Sequence, residues 1–513
     1  MELPGRLGSF WVESTAESAF PRLRGDITVD VAVIGGGIAG LTSATLLKEA
    51  GRSVAVIESK RIVRGATGYT TAKLTSGHGL IYRHLIAKFG VAKARAYADA
   101  NQAAIAEVAG RVDRHSIDCD FERRANYVYA DERDKRESIE KEVEATLRLG
   151  LPASFIDDPP LPVETRGAIR LDDQAEFHPR KYLLALAASL TGDSSHIFEL
   201  TRALQVEDGR SCRVVTDAGD VHARDVLILT QIPFLDRGLF FTKVHPYRAY
   251  VLAAPISDEH APDGMFLTSK SPTRSIRSTP LDGRRLLLLG GEGHKTGTVS
   301  DNEQRFAKLD AFLRAHFDAG EVIYRWATQD YYSVDRVPYI GPLTRGTERI
   351  RVATGFGGWG MSGGTAAAMI LSDAVLGNRD RSGGVFASKR WRPRASSGRL
   401  VKENALVARH WLLDAFIVPT SRAPESVRPG EADILRIAGR RVAFYRDESG
   451  EPHAVSAVCS HLACLLRWNA AERSWDCPCH GSRFDVDGVV LQGPAVRDLE
   501  RFELNALRRA EDE

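Results

Sequence analysis

The sequence is poor in cysteine and methionine, with six and four residues among 513. So few cysteines exclude a disulfide-dense secreted scaffold. The chain also lacks an excess of charge, because 69 lysines and arginines oppose 67 aspartates and glutamates. This balance argues against a surface that wraps nucleic acid, which needs a clustered basic excess. No apolar run reaches the ~20 residues of a bilayer span, since glycines and threonines interrupt the nearest candidate, Val29 to Leu47.

The remaining composition is typical of a globular protein with several domains. Apolar residues make up 43% and charged residues 27% of the chain, which is an ordinary balance. At ~100–200 residues per domain, the length predicts about two to four domains. The chain begins Met-Glu-Leu-Pro-Gly, without the basic region and apolar core of a signal peptide. We therefore expect a cytoplasmic protein.

Four of the six cysteines lie within residues 459–479, and this clustering indicates a metal site. The segment 462–476 separates Cys459-Ser-His461 from Cys477-Pro-Cys-His480. Two thiolates can hold one iron and two imidazoles the other, which is the ligand set of a Rieske [2Fe–2S] cluster. A structural zinc site is the alternative, because pairs of Cys and His also suit tetrahedral zinc. The Cys-x-His order and the repeated loop plan favour the Rieske cluster.

The two ligand loops, residues 459–464 and 477–482, resemble those of Rieske proteins of the cytochrome bc type. The resemblance covers the chain from about position 429 to its end. It implies a disulfide bond between Cys464 and Cys479 that ties the two loops together. A Rieske oxygenase is disfavoured, because only the short segment 481–513 follows His480 and it contains no histidine that could hold a second iron.

The same resemblance implies roles for residues around the cluster. Ser482 would donate a hydrogen bond to a bridging sulfide, and Gly493-Pro494-Ala495 would form a third covering loop. Phe484 stands where high-potential members carry a tyrosine. The missing hydroxyl implies a less stabilised reduced cluster and a lower potential.

The N-terminal region contains a dinucleotide-binding pattern. An apolar strand at residues 29–34 is followed by Gly35-Gly-Gly37-Ile-Ala-Gly40, a helix at 38–50 and a second strand at 53–58. Glycines permit a tight turn and let a pyrophosphate approach the helix N-terminus. Glu58 ends the second strand, at the distance beyond Gly40 where an acid binds ribose hydroxyls.

Three further segments, at residues 64–73, 326–341 and 353–362, resemble flavin-contacting parts of the D-amino-acid oxidase and glycine/sarcosine oxidase superfamily. This resemblance covers about residues 26–378 and implies FAD, held non-covalently. A second nucleotide motif is missing, so direct use of NAD(P)H is disfavoured. The residues expected to bind FAD are Gly35, Gly37, Gly40, Glu58, Thr67, Thr70, Thr71, Lys73, Gly358, Gly360 and Met361.

The catalytic residues cannot be assigned from the sequence, and no general base is proposed. The candidates are Lys73, Arg248, Arg274 and Tyr332. Arginines, among them Arg277 and Arg336, are usually exposed or ion-paired, but one of them could clamp a substrate carboxylate. Tyr331 suits a core position as well as a pocket.

These patterns predict an α/β Rossmann-like FAD-binding domain with an inserted α+β substrate domain, followed by a small all-β Rieske domain. Residues 85–150 are expected to be mostly helical and 195–345 mostly strands. The predicted units are a lead-in at 1–25, the FAD-dependent oxidoreductase at 26–378 (FAD-binding parts about 26–100, 170–240 and 325–378, with substrate parts between them), a linker with a helix at 379–424 and the Rieske domain at 425–513.

The favoured hypothesis is an enzyme that oxidises a small amine or amino acid. Electrons would pass from FAD to the Rieske cluster, and an external protein or quinone would drain the cluster through an exposed histidine edge. One alternative is an electron-transfer module without a small-molecule substrate. Another is a Rieske domain that serves as a redox sensor or a structural appendage.

Overall fold

The computed structural model describes residues 3–132, 135–271, 273–380, 382–390, 393–413 and 422–503. The helices are α1 Phe10–Glu13, α2 Ile38–Glu49, α3 Tyr82–Phe89, α4 Val91–His115, α5 Arg136–Arg148, α6 Pro179–Leu190, α7 Phe240–Lys243, α8 Asn302–His316, α9 Gly360–Leu376 and α10 Pro393–Leu413. The strands are β1 Arg6–Leu7, β2 Ile27–Ile34, β3 Val54–Ile57, β4 Lys73–Leu74, β5 Glu122–Tyr129, β6 Ala153–Ile156, β7 Ala168–Glu176, β8 His196–Phe198, β9 Ala203–Glu207, β10 Cys212–Thr216, β11 Asp220–Ile228, β12 Val244–Ile256, β13 Met265–Thr268, β14 Ser275–Leu281, β15 Arg284–Lys295, β16 Tyr324–Ser333, β17 Tyr339–Pro342, β18 Ile350–Thr354, β19 Ala432–Ile437, β20 Arg440–Arg446, β21 Pro452–Ser456, β22 Arg467–Asn469, β23 Ser474–Asp476, β24 Arg483–Phe484 and β25 Val490–Gln492.

A parallel sheet forms the centre of the N-terminal domain. Strand β2 pairs in parallel with β3 and β11, while β8 extends the sheet on one side and β18 on the other. Helix α2 follows β2 directly and packs against α6 and α9. The inner strands are apolar because helices and neighbouring structure cover them, as in doubly wound folds. The predicted Rossmann-like domain is confirmed.

A second sheet in the oxidoreductase has ten strands, with strand order β1-β16-β12-β15-β14-β13-β5-β7-β4 and β6 paired to β7. Strands are the main regular structure between residues 195 and 345, as expected. The expectation that 85–150 is mostly helical overlooked β5, where Glu122, Arg123 and Arg124 precede the apolar half of the strand. Charged residues at the start of β5 hid the short alternating pattern of a strand.

The N-terminal segment is an ordered part of the structure. Strand β1 pairs with β16, and Phe10 and Trp11 of α1 are buried. The Trp11 indole N–H donates a 2.7 Å hydrogen bond to the carbonyl oxygen of Thr70. The predicted lead-in thus braces a loop that was expected to bind FAD. Its elements are too short to produce a readable period.

The segment predicted as a linker at 379–424 is partly packed onto the oxidoreductase. Val385 and Phe386 are buried in its core, and Arg390 forms a 2.7 Å ion pair with Asp335. The helix expected near 401–414 begins earlier, at Pro393, where proline suits the first helical turn. Residues 414–421 lie outside the described part of the chain.

The C-terminal domain consists of two antiparallel sheets. Strands β19, β20 and β21 form the first, and β22 to β25 form the second. Trp475 and Phe484 are fully buried, in a cluster that includes the cysteines of the predicted metal site. The predicted all-β domain is confirmed. Among the described helices, none is both long and apolar enough to cross a membrane.

Candidate functional site

A cavity of about 1020 Å³ lies at the carboxyl end of β2 and β11 and extends over the large sheet. The turn after β2 forms one end of it. A Cβ on Gly35 would lie 2.6 Å from the carbonyl oxygen of Leu229, and a Cβ on Gly40 would overlap the carbonyl oxygen of Gly35. Only glycine allows the turn, helix α2 and β11 to approach so closely. This is the glycine requirement of a dinucleotide site.

Glu58 is the second feature of the dinucleotide-binding pattern, the acid at the end of the second strand. One of its carboxylate oxygens accepts a 2.9 Å hydrogen bond from the backbone N–H of Gly36, and the other accepts one of 2.9 Å from the backbone N–H of Lys60. The Thr67 hydroxyl accepts a 3.2 Å hydrogen bond from the N–H of Ile38 at the start of α2. The acid at the end of β3 and the 64–73 loop therefore converge on the same turn, and the arrangement fits FAD.

Most residues expected to bind FAD line this cavity. They are Gly35, Gly37, Glu58, Thr67, Thr70, Thr71, Lys73, Gly358, Gly360 and Met361. Gly40 packs behind the turn. The start of α9 and the loop before it bring the last three of these residues to the turn after β2, although they come much later in the sequence.

Lys73 is a buried amine on the cavity wall. It donates a hydrogen bond to the carbonyl oxygen of Phe266, and it lies opposite Glu176 in the pairing of β4 with β7. Burial and the nearby Arg277 guanidinium lower the pKa of Lys73 to about 7. The Lys73 amine therefore changes its charge close to neutral pH.

Tyr332 and Asp330 also line the cavity, on the same face of β16. The backbone N–H groups of Gly358 and Tyr331 donate hydrogen bonds of 2.5 and 2.7 Å to the Asp330 carboxylate. Burial raises the pKa of Asp330 to about 6. Asp330 was not among the site residues predicted from the sequence. The available signal was its position two residues before Tyr332, which places both side chains on the same face of a strand.

The four arginines considered as carboxylate clamps occupy different environments, and Arg277 is fully buried in a 3.2 Å ion pair with Glu176. Arg248 is fully buried and pairs with Glu472 of the C-terminal domain. Arg274 pairs with Glu292 at 2.5 Å. Arg336 has an exposed side chain on the cavity wall and donates one 3.3 Å hydrogen bond to the carbonyl oxygen of Leu80. Of these four, Arg336 is best placed to meet a ligand in the cavity.

The four predicted cluster ligands converge at one end of the C-terminal domain. Cys459 and Cys477 are buried, and the rings of His461 and His480 lie 5.1 Å apart. The Nδ1 atoms of both rings are buried without a hydrogen-bond partner in the described structure. Two buried thiols and two unpartnered imidazole nitrogens fit the ligand set of a Rieske cluster.

The predicted disulfide between Cys464 and Cys479 is present and joins the two ligand loops. The fully buried Ser482 hydroxyl accepts a 3.2 Å hydrogen bond from the N–H of Ala495, which brings the third loop against the ligand loops. Phe484 is fully buried nearby. The surroundings that the cytochrome bc type resemblance implied therefore lie close together.

The histidine edge of the site is covered, so the expectation that it is exposed was wrong. His461 Nε2 lies 2.9 Å from a carboxylate oxygen of Asp236. The Phe241 ring meets both histidine rings edge-on, at 6.1 and 5.1 Å. The side chain of His461 is 5% exposed as a result. No pattern in the sequence indicated that the segment before and within α7 would pack on the ligand loops.

Strand β16 connects the covered cluster loop to the cavity. The Tyr331 hydroxyl donates a 2.9 Å hydrogen bond to the carbonyl oxygen of His480, and Gln329 Nε2 donates one of 2.8 Å to that of Gly481. Asp330 and Tyr332 alternate with these residues and line the cavity. One strand thus contacts both candidate cofactor sites through side chains that alternate along it.

Two family models match this chain. Residues 30–374 match the family described as FAD dependent oxidoreductase, and residues 419–503 match the Rieske [2Fe-2S] domain. The chain therefore belongs to the FAD-dependent oxidoreductase family and carries a C-terminal Rieske domain. FAD and a [2Fe–2S] cluster are its cofactors, as the sequence predicted.

Several known proteins are similar to this chain. YhfW of Bacillus subtilis strain 168, whose name describes a Rieske 2Fe-2S iron-sulfur protein, is 36% identical over 97% of this chain and 98% of its own length. The gamma-glutamylputrescine oxidoreductase of Escherichia coli K12 is 24% identical over 73% of this chain and 90% of its own. The structure of glycine oxidase from Geobacillus kaustophilus shares the fold with a TM-score of 0.57 at 18% identity, and the match covers 71% of this chain and 99% of that one.

Proposed function

We propose that this oxidoreductase oxidises a small amine or amino acid in the cavity and passes the electrons from FAD to the Rieske cluster and then to an external acceptor. The names of the E. coli and G. kaustophilus proteins support an amine or amino-acid substrate. When bound, FAD would accept a hydride from the carbon that carries the substrate nitrogen, and the cluster would supply a one-electron relay.

The observation that carries the proposal is the double role of β16. Asp330 and Tyr332 line the cavity, Tyr331 holds the backbone of the His480 loop, and Gln329 does both. Backbone pairing with β12 along the whole length of β16 keeps the two sites at a fixed separation. Such a fixed arrangement suits electron transfer between the two sites within one chain. Two domains that acted independently would not need it.

The cavity provides groups of both signs for an amino-acid substrate. The exposed guanidinium of Arg336 can bind a carboxylate through two hydrogen bonds. Asp330 presents a carboxyl group whose pKa is raised to about 6 by burial, and this group can pair with an ammonium. A pure electron relay, the alternative function, needs no cavity with convergent charged groups over the flavin site.

The test is anaerobic mixing of the holoenzyme with a broad panel of amines and amino acids. A substrate should bleach the absorbance of oxidised flavin, and the electron paramagnetic resonance signal of the reduced cluster should follow. Arg336→Gln should raise the concentration needed for half-maximal bleaching by an amino acid at least tenfold. Arg345→Gln, which changes an exposed arginine outside the cavity, is the control.

If no member of the panel bleaches the flavin, substrate oxidation is contradicted. Reduction of the same enzyme by a partner protein would then favour the relay function. If substrate bleaches the flavin but the cluster stays oxidised in the same anaerobic mixture, the proposed path from FAD to the cluster is wrong.

A further inference from the structure

The Rieske domain forms part of the wall of the flavin cavity. Residues 490–493, together with Ala495 and Val496, line the cavity. We call residues 490–496 the wall segment. Glu472 and Arg483 of the same domain line the cavity as well. A flavin-binding domain of this family is thus completed here by residues of a second domain.

The wall segment is attached to the FAD-binding region by hydrogen bonds. Lys60, whose backbone N–H binds the Glu58 carboxylate, donates a 3.1 Å bond from Nζ to the carbonyl oxygen of Leu491. Gln492 Nε2 donates a 2.5 Å bond to the side-chain oxygen of Gln231, just after β11. Both anchors lie on loops that also line the cavity, so the position of the wall segment and the shape of the flavin site depend on each other.

The other end of the wall segment packs on the cluster loops. Gly493 has a φ of +108°, and a Cβ there would lie 2.6 Å from the carbonyl oxygen of Gly481. The N–H of Ala495 is bound to the Ser482 hydroxyl at 3.2 Å. Gly481 and Ser482 directly follow His480, so the wall segment takes its position from the loop that holds the cluster.

We propose that the wall segment retains FAD and couples the binding of the two cofactors. Assembly of the cluster fixes residues 477–482, these fix the wall segment, and the wall segment closes the flavin cavity. Coupling between two ligands is reciprocal, so FAD strengthens cluster binding by the same factor. The inference goes beyond the proposed function, because it requires neither a substrate nor electron transfer.

The test compares FAD binding with and without the cluster. Flavin-free protein is titrated with FAD, and the dissociation constant is read from quenching of FAD fluorescence. The parent carrying an assembled cluster should bind FAD at least fivefold more tightly than the cluster-free Cys459→Ser, Cys477→Ser variant. In the reciprocal experiment, saturating FAD should slow loss of the cluster to a chelator. Equal FAD affinity in the two forms would overturn the coupling.

Gln492→Ala tests the wall segment in a protein that keeps its cluster, which is verified by its visible absorbance. Loss of this hydrogen bond should raise the dissociation constant for FAD about three- to tenfold. The same change should have little effect in the cluster-free variant, because the segment is already released there. Gln304→Ala, on the exposed face of α8, is the control. If Gln492→Ala matches Gln304→Ala, the wall segment does not retain FAD.

Each result is separate from the test of the proposed function. The titration uses oxidised FAD and no substrate, so a protein unable to oxidise any amine would still show the coupling. Conversely, substrate-driven bleaching of the flavin with equal FAD affinity in both cluster states would leave the proposed function intact and remove the coupling.

Discussion

The hydroxyl of Tyr331 donates a 2.9 Å hydrogen bond to the backbone carbonyl oxygen of His480, across the boundary between the oxidoreductase and the Rieske domain. Both residues are buried. Gln329 reinforces the contact, because its Nε2 lies 3.3 Å from the same hydroxyl and 2.8 Å from the carbonyl oxygen of Gly481. The docked position of the histidine loop therefore depends on two side chains of β16.

Tyr331→Phe should loosen this docking without changing the flavin cavity. An unsatisfied buried carbonyl costs about 1–3 kcal/mol, so the cluster-bearing domain should denature at lower temperature. Rapid mixing with substrate should show unchanged bleaching of the flavin and slower reduction of the cluster. Tyr127→Phe, on β5 where the ring stacks on Phe266 at 4.7 Å, is the control. Equal cluster reduction in both variants would contradict a role for Tyr331 in docking.

His480→Cys tests the ligand assignment. A thiolate in place of imidazole should preserve a [2Fe–2S] centre but lower its potential towards about −400 mV, away from the roughly −150 to +300 mV range of Rieske centres. A redox titration followed by electron paramagnetic resonance measures the change. The control, His453→Cys, changes a histidine of the same domain that pairs instead with Asp487 at 2.9 Å. An unchanged potential in His480→Cys would exclude His480 as a ligand.

The ligand loops and the flavin loops were predictable because their chemistry is local. The Cys459 and Cys477 loops carry their residue types within a few positions, and Gly35 and Glu58 belong to one strand–helix–strand unit formed by β2, α2 and β3. The contacts between the domains were not predictable, since Gln231 and Gln492 or Asp236 and His461 meet only through the tertiary fold. The segments that carry these residues have no periodic pattern that would indicate the contacts.

The strand β16 is an intermediate case. Its residues were recognised as an approach to the flavin, and a strand would have placed Gln329 and Tyr331 on the face opposite Asp330 and Tyr332. The sequence could not reveal that the opposite face meets another domain. Similarly, Phe386 is buried although it lies in the predicted linker. Its burial was not predicted because glycines, serines and arginines surround the short apolar pair of Val385 and Phe386.

The disulfide provides a prediction about the stability of the Rieske domain. Cys464 and Cys479 are separated by 15 positions and link the two ligand loops. Closing a loop of that length stabilises a fold by about 3 kcal/mol in the chain-entropy model. The Cys464→Ser, Cys479→Ser variant should therefore lose its cluster at lower urea concentration, while freshly assembled protein keeps a Rieske spectrum. Cys119→Ser is the control for a buried cysteine outside the domain. Equal resistance to urea would show that the bond does not stabilise the loops.

Lys73 should make stability depend on pH. Its pKa falls from about 10.5 to about 7 on folding, so between these values the unfolded chain binds more protons than the folded chain. The free energy of unfolding then rises with pH across this window, by at most about 1.4 kcal/mol per pH unit for one group. The loss of stability caused by burying the protonated Lys73 amine is largest below pH 7. Lys73→Met should flatten the slope in urea denaturation of the flavin-free protein, whereas Lys308→Met on the exposed face of α8 should not. Parallel curves for parent and Lys73→Met would contradict a lowered pKa.

The buried pair of Arg248 and Glu472 should contribute strongly to the attachment of the two domains. Arg248 is fully buried, and its Nε and one terminal nitrogen have no hydrogen-bond partner among the described residues. Glu472 is its counter-charge and also lies 3.2 Å from Arg483. Removing one partner of a buried pair leaves an uncompensated charge and costs about 3–5 kcal/mol.

Glu472→Gln should therefore destabilise the protein more than Arg248→Met, which leaves Glu472 paired with Arg483. The double variant should be less destabilised than the sum of the two single changes, because the buried charge is absent. Urea denaturation of the parent, the two single variants and the double variant gives the coupling energy. The exposed pair of Arg440 and Glu500 within the Rieske domain is the matched control and should show a coupling below about 1 kcal/mol. Additive effects at Arg248 and Glu472 would mean that the two side chains stabilise the protein independently, and the ion pair would then not hold the domains together.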